Sequence, residues 1–130
     1  MSQHDMDRTA ARERLEALAD ADVAVYATRD EAFGLVPLEA LLCGTPVVVG
    51  DDAGCGEVIA ATGGGLLVPP GDAAALAAAL RQVLAAPAAF RQAAAQAAVR
   101  VREHYGQAPV CARLLELYDE VAPRARLQLA

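Results

Sequence analysis

Lysine and tryptophan do not occur in this 130-residue sequence, and aromatic residues make up only 4% of it. All 11 basic residues are therefore arginine, outnumbered by 17 acids for a net charge of −6. Phosphate backbones are neutralised by clustered cations, so this balance argues against a nucleic-acid partner, and against anionic lipid for the same reason. Cys43, Cys55 and Cys111 are odd in number, widely spaced and free of any C-x-x-C pair. They fit buried thiols in a reducing compartment, not a disulfide frame or a zinc site. No uncharged apolar run reaches the length of a transmembrane segment. The opening Met-Ser-Gln-His-Asp-Met-Asp-Arg lacks the apolar core of a signal peptide. The expectation is a soluble, cytoplasmic chain.

Hydrophobic residues make up 55% of the sequence, which argues against disorder. Much of that share is alanine, a strong helix former that adds little core volume, so with few aromatics the core should be aliphatic. The region from Thr9 to Asp20 reads as a helix with a weak apolar face. Val23–Ala27 reads as a strand, nearly all apolar as buried parallel strands are. A polar loop, Thr28 to Gly34, leads to a helix with Pro37 at its first position, ending at Cys43 with Gly44 as terminator. Pro46–Val49 is a second strand, Gly50–Gly56 a glycine-rich turn and Glu57–Ala61 a short helix. A third strand, Leu66–Val68, is followed by Pro69-Pro70-Gly71, with Asp72 as the N-cap of the next helix. Three apolar stripes at helical spacing follow: Leu76, Leu80, Val83 and Leu84; then Phe90, Ala94, Ala97, Val101 and Tyr105; then Cys111, Leu114, Leu115, Tyr118 and Val121. Pro87 separates the first two, and Gly106 to Pro109 the last two.

This alternation predicts an α/β fold: a partial Rossmann-like parallel sheet of about three strands with flanking helices. Doubly wound domains carry five or six strands, so three read as half of one. Residues 1–17 form a helical lead-in, 18–122 the domain and 123–130 a tail. With half the sheet missing, Val23–Ala27 is expected to be a bare apolar edge.

The segment from Glu31 to Leu41 lies between a strand and a helix, and parallel α/β sheets bind ligands off the carboxyl ends of their strands. Gly34 has no Cβ and lets backbone approach a bulky anion. The amides of Gly34, Leu35 and Val36 precede or open the helix, where unpaired N–H groups and the dipole attract phosphate. Glu39 is expected in the first turn, where negative charge is favoured. A carboxylate with two acceptor oxygens can hold two adjacent hydroxyls, such as a ribose diol. The plainer readings are a helix-terminal charge for Glu39, a solvated loop acid for Glu31 and an exposed loop arginine for Arg29. Cys43 is expected to pack against the sheet.

Glu31 and Glu39, eight positions apart, resemble the E-x7-E signature of the group-one glycosyltransferases, the retaining, metal-independent enzymes of the GT-B fold. Phe33-Gly34 and Glu39-Ala40 fill the expected places. Ala21-Asp22-Val23, Cys43 to Val48, Gly65 to Asp72 and Leu115 to Tyr118 match further blocks in the same order, so the likeness runs from about Leu18 to Val121.

The resemblance implies the C-terminal half of a GT-B donor-binding domain and transfer from a nucleotide-diphosphate sugar with retention. Glu31 would be the catalytic-site acid that contacts sugar hydroxyls. The backbone of Phe33, Gly34, Leu35 and Val36 would line the sugar and diphosphate, and Glu39 would hold the ribose. Gly54 and Glu57 correspond to a donor-side turn, with Cys55 intruding and its proline missing. No metal or cofactor is implied beyond the sugar donor itself. The family also neutralises the leaving diphosphate with an Arg and Lys pair from earlier in the domain, and this chain has no lysine. Little turnover is therefore expected from this chain alone. The partners implied are a nucleotide sugar and either a chain carrying the N-terminal domain or a second copy. The alternative is a truncated or split α/β module, catalytically inactive, acting through a partner chain or self-association.

Overall fold

Val47, Val48 and Val49 follow one another at the centre of the sheet and are all fully buried, as a strand covered by helices on both faces requires. The computed structural model describes residues 3–121; the expected tail, 123–130, lies outside the described residues. The elements are α1 (Gln3–Asp20), β1 (Ala24–Tyr26), α2 (Leu35–Leu42), β2 (Val47–Gly50), α3 (Ala53–Thr62), β3 (Gly65–Val68), α4 (Ala73–Ala85), α5 (Pro87–Tyr105) and α6 (Gln107–Val121). The three strands are parallel in the order β1-β2-β3. The expected α/β class, three-stranded parallel sheet and flanking helices are all present.

Alternate residues of β2 serve two cores. Val47 and Val49 join Leu38 and Leu41 of α2, Val58 and Ile59 of α3, and Ala94, Ala97 and Val101 of α5. Val48 joins Val68, Ala79 and Val83 on the α4 face. Two right-handed crossovers stepping the same way along a sheet put α2 and α3 on one face, leaving α4 to cover the other. Burying a valine contributes on the order of 1.5–3 kcal/mol, so this short strand organises both layers. The Asp72 cap forms as expected, its Oδ1 accepting from the Ala75 amide at 2.9 Å.

Several boundaries differ from the sequence reading. β1 is shorter than Val23–Ala27. α2 starts two residues before Pro37, which a proline tolerates because the first four helical N–H groups have no intrahelical partner. Glu39 thus falls in the second turn, outside the helix-terminal position expected of it. Gly54, Cys55 and Gly56 are the first turn of α3, not a loop before it. Pro109 lies inside α6, and the stripe expected on that helix covers nothing: α6 has no buried residue. Leu84, expected on the apolar face of α4, is exposed. Of the three thiols only Cys55 is buried; Cys43 is half-buried and Cys111 exposed.

β1 pairs only with β2, among the described residues. Parallel partners point to the same side, so Val25 shares the α4 face with Val48. α4 covers β2 and β3, and Val25 is left 46% exposed. The apolar edge anticipated from the sequence is present at Val25, while Val23, Ala24 and Tyr26 are half-buried against the two cores.

Candidate functional site

The polypeptide leaves β1 at Tyr26 and reaches α2 through the segment 27–34, at the carboxyl end of the sheet. Three hydrogen bonds tie this loop down. The Asp30 amide donates to Asp52 Oδ2 at 2.7 Å, anchoring the loop to the residue before α3. The Tyr26 hydroxyl donates to Glu31 Oε2 at 2.9 Å, and the Phe33 amide approaches Glu31 Oε1 at 3.5 Å. Glu31 is thus a half-buried, oriented carboxylate. Its hydrogen bond, with burial and nearby negative charge adding to it, holds the Tyr26 phenol above its ordinary pKa. Phe33 packs edge-on against Tyr105 of α5, the ring centroids 5.6 Å apart.

Gly34 precedes α2 with φ 73°, and no side chain caps that helix. A Cβ here would meet Tyr26 Cε1 at 3.0 Å and Cys55 Sγ at 3.2 Å. Leu35 and Val36 therefore open the helix with amides that no capping side chain occupies, beside a backbone stripped of side-chain bulk. Cys55 lies directly beneath. Burial first, and then the charge of Glu31, push its thiol above the ordinary range. Gly54 has a steric requirement of its own: a Cβ would collide with the carbonyl oxygen of Ala32. The first turn of α3 thus supports the loop from below, while Glu57 is exposed further along α3.

Glu39 faces a different neighbour. Its Oε1 pairs with Arg14 Nη2 of α1 at 2.8 Å, and its Oε2 is enclosed with no hydrogen-bond partner. Cys43 also turns to α1, its Sγ 3.8 Å from the Leu15 carbonyl, so the expectation that it packs against the sheet is corrected. The structure gathers Glu31, Phe33, Gly34, Leu35, Val36 and Gly54 around the start of α2, whereas the Glu39 carboxylate is engaged with α1. Arg29 is exposed, as expected, and its guanidinium lies against Gly71.

A cavity of about 200 Å³ opens at the carboxyl ends of all three strands, between Ala27, Gly50, Val68 and the turn from Pro69 to Asp72. None of the candidate donor-site residues lines it. Its walls are mainly apolar and its one carboxylate, Asp72, already caps α4. The loop before α2 carries the oriented carboxylate and helix-start amides that this cavity lacks, and a site needs such convergent polar groups as well as concavity. Among the described residues no group of three or more His, Cys, Asp or Glu side chains is arranged to hold a metal ion, and no single helix is long and apolar enough to cross a membrane.

Residues 8–101 match the family model described as glycosyl transferases group 1. The chain is 37% identical over 122 residues to a glycogen synthase of Mycobacterium tuberculosis, covering 90% of this chain and 30% of that protein. It is 49% identical over 47 residues to a GDP-mannose-dependent alpha-(1-6)-phosphatidylinositol dimannoside mannosyltransferase of the same organism, 36% of this chain and 12% of that one. Among solved structures it is similar to sucrose-phosphate synthase from Thermosynechococcus elongatus, with a TM-score of 0.74 and 35% identity over 81% of this chain and 26% of that one. The chain spans less than a third of the length of each of these proteins.

Proposed function

The chain belongs to the glycosyl transferases of group 1, and from that premise we propose that it contributes donor-binding residues to transfer of a sugar from a nucleotide-diphosphate sugar, with retention at the anomeric carbon. In that transfer the bond from the anomeric carbon to the diphosphate oxygen breaks. An acceptor oxygen bonds to the same face of that carbon, and its proton passes to the departing diphosphate. Glu31, held by Tyr26, receives sugar hydroxyls. The amides of Gly34, Leu35 and Val36 face the diphosphate, where a helix start offers N–H donors to an anion. Glu39 receives the ribose diol once its carboxylate is free, and Gly54 and Glu57 stand on the donor side.

The observation that carries the reading is the loop before α2: an oriented carboxylate beside uncapped helix-start amides, with Gly34 keeping side-chain bulk away. The mannosyltransferase relative is itself named for a nucleotide-diphosphate sugar, GDP-mannose. Ligand-observed NMR of the full chain against a panel of nucleotide sugars tests the proposal. Saturable binding, competed by the matching nucleoside diphosphate, is expected; no binding by any donor would overturn it. Because the family resemblance implies metal independence, the same affinity is expected in EDTA. Binding lost in EDTA and restored by manganese would count against the reading. Stabilising a leaving diphosphate is a large electrostatic contribution, and this chain has no lysine to add to it, so binding without turnover is expected of the chain alone.

One observation favours a second reading, in which the module acts through a partner chain or a second copy. Among the described residues no strand pairs with the outer side of β1, where Val25 is exposed, and such edges recruit strands. The chain is expected to self-associate at high micromolar concentration, and Val25→Lys to disperse the assembly in light scattering. A sharp, cooperatively melting monomer of the unsubstituted chain would refute this edge-pairing account.

A further inference from the structure

The donor-site carboxylate that should face a ligand faces α1 instead. Leu18 of α1 packs against the larger core, and its carbonyl accepts a 2.6 Å hydrogen bond from Thr45 Oγ1, just beyond the end of α2. Arg14 lies four residues earlier on the same helix, and residues at that spacing share a helix face. Docking of Leu18 therefore delivers the Arg14 guanidinium to Glu39. Arg12, two positions away, pairs within α1 with Glu16 at 2.7 Å. Both oxygens of the Glu39 carboxylate are turned from a ligand, since Oε1 pairs with Arg14 and Oε2 is shut off from solvent without a partner. A diol cannot take both oxygens unless Glu39 leaves Arg14 and turns, because Oε2 is shut off from solvent.

We propose that Arg14 is a latch on Glu39, which competes with the ligand's vicinal diol for that carboxylate and ties donor binding to the docking of α1. The inference rests on the donor-site reading given above. The pair is suited to opening. Arg14 and Glu39 side chains are 57% and 26% exposed, and ion pairs open to solvent are weak and screened by salt. The enclosed Oε2 gains nothing from the latched state, because a buried acceptor without a partner is itself unfavourable. A diol that gives both oxygens a donor therefore has an advantage over one guanidinium. Linkage is reciprocal, so ligand that opens the latch also loosens the Arg14 end of α1.

The test titrates the full chain with ADP, GDP and UDP by ligand-observed NMR, and repeats the tightest binder as its 2′,3′-dideoxy counterpart. Arg14→Ala is expected to tighten the ribonucleotide by about two- to fivefold, the range of a solvent-exposed ion pair. Arg14→Lys, which can still pair with Oε1, should stay near the unsubstituted chain. The dideoxy counterpart carries the same phosphates and no diol. It should be unaffected or slightly weakened by Arg14→Ala, through loss of a positive charge. In the Glu39→Gln background the gain from Arg14→Ala should vanish. If Glu39→Gln weakens binding but Arg14→Ala leaves it equal or weaker, the donor reading stands and the latch is wrong. Equal tightening of the dideoxy counterpart also refutes the latch. If no diphosphate binds, or Glu39→Gln changes nothing, the donor reading falls and the latch falls with it.

Discussion

Glu39→Gln should weaken nucleoside-diphosphate binding roughly ten- to a hundredfold, the range expected when a charge-assisted hydrogen bond of about 1.5–3 kcal/mol is lost. The amide keeps the shape of the side chain but replaces one acceptor oxygen with a donor, which cannot accept from a second hydroxyl. Folding should be little affected. The substitution removes one ion pair that is largely open to solvent on the Arg14 side, and such pairs contribute about 0–1 kcal/mol. An unchanged melting temperature with the predicted loss of affinity separates a binding role from a structural one. Unchanged affinity would remove Glu39 from the site.

Gly54→Ala is expected to have the largest effect on the fold and to reach the site through it. The new methyl would strike the Ala32 carbonyl oxygen and come within 2.9 Å of the Ala32 carbonyl carbon and 3.5 Å of Phe33 Cα. All three are backbone atoms, so no side chain can rotate away. Either the start of α3 or the segment carrying Glu31 and Phe33 must move. Overpacking of this kind costs about 1–3 kcal/mol, a fall of roughly 4–12 °C in melting temperature for a domain of this size. Gly44→Ala is the control. It meets nothing within 4 Å but has φ 79°, so it strains the chain without pushing on the loop. Circular-dichroism melts should show both variants destabilised. Only Gly54→Ala should also reduce nucleotide-sugar binding relative to nucleoside-diphosphate binding, because the displaced loop carries the acid assigned to the sugar. A Gly54→Ala chain with unchanged melting and affinity would show that α3 does not buttress the loop.

The parts of the fold legible in the sequence are those set by local chemistry. Val47 to Val49 read as a doubly covered strand because no polar residue interrupts them. Asp72 read as a cap because its bond reaches only to Ala75. Element starts were less legible. A proline is tolerated throughout a first helical turn, so Pro37 marked the turn and not its first residue. The glycines of Gly54-Cys55-Gly56 read as a loop, yet they lie inside a helix, Gly54 required there by the close approach of Ala32 and Gly56 by that of Asp51. The loop from Glu31 to Gly34 was located by its place between strand and helix. What orients it was not, because the Tyr26 to Glu31 bond leaves no sequence pattern. Arg14 and Glu39 lie 25 positions apart, and only the docking of α1 brings them together. For α6 the helical period was correct, but periodicity says which residues share a face and not what covers them.

The central claim, that the loop before α2 binds a nucleotide-sugar donor, is tested most directly by amide chemical-shift mapping of the full chain as a nucleotide sugar is titrated in. Saturable shifts are expected, concentrated at Phe33, Gly34, Leu35 and Val36 and extending to Glu39 and to Arg14 as that end of α1 loosens. Shifts confined to the cavity between Ala27, Gly50 and the turn from Pro69 to Asp72, or no shifts with any donor, would contradict it.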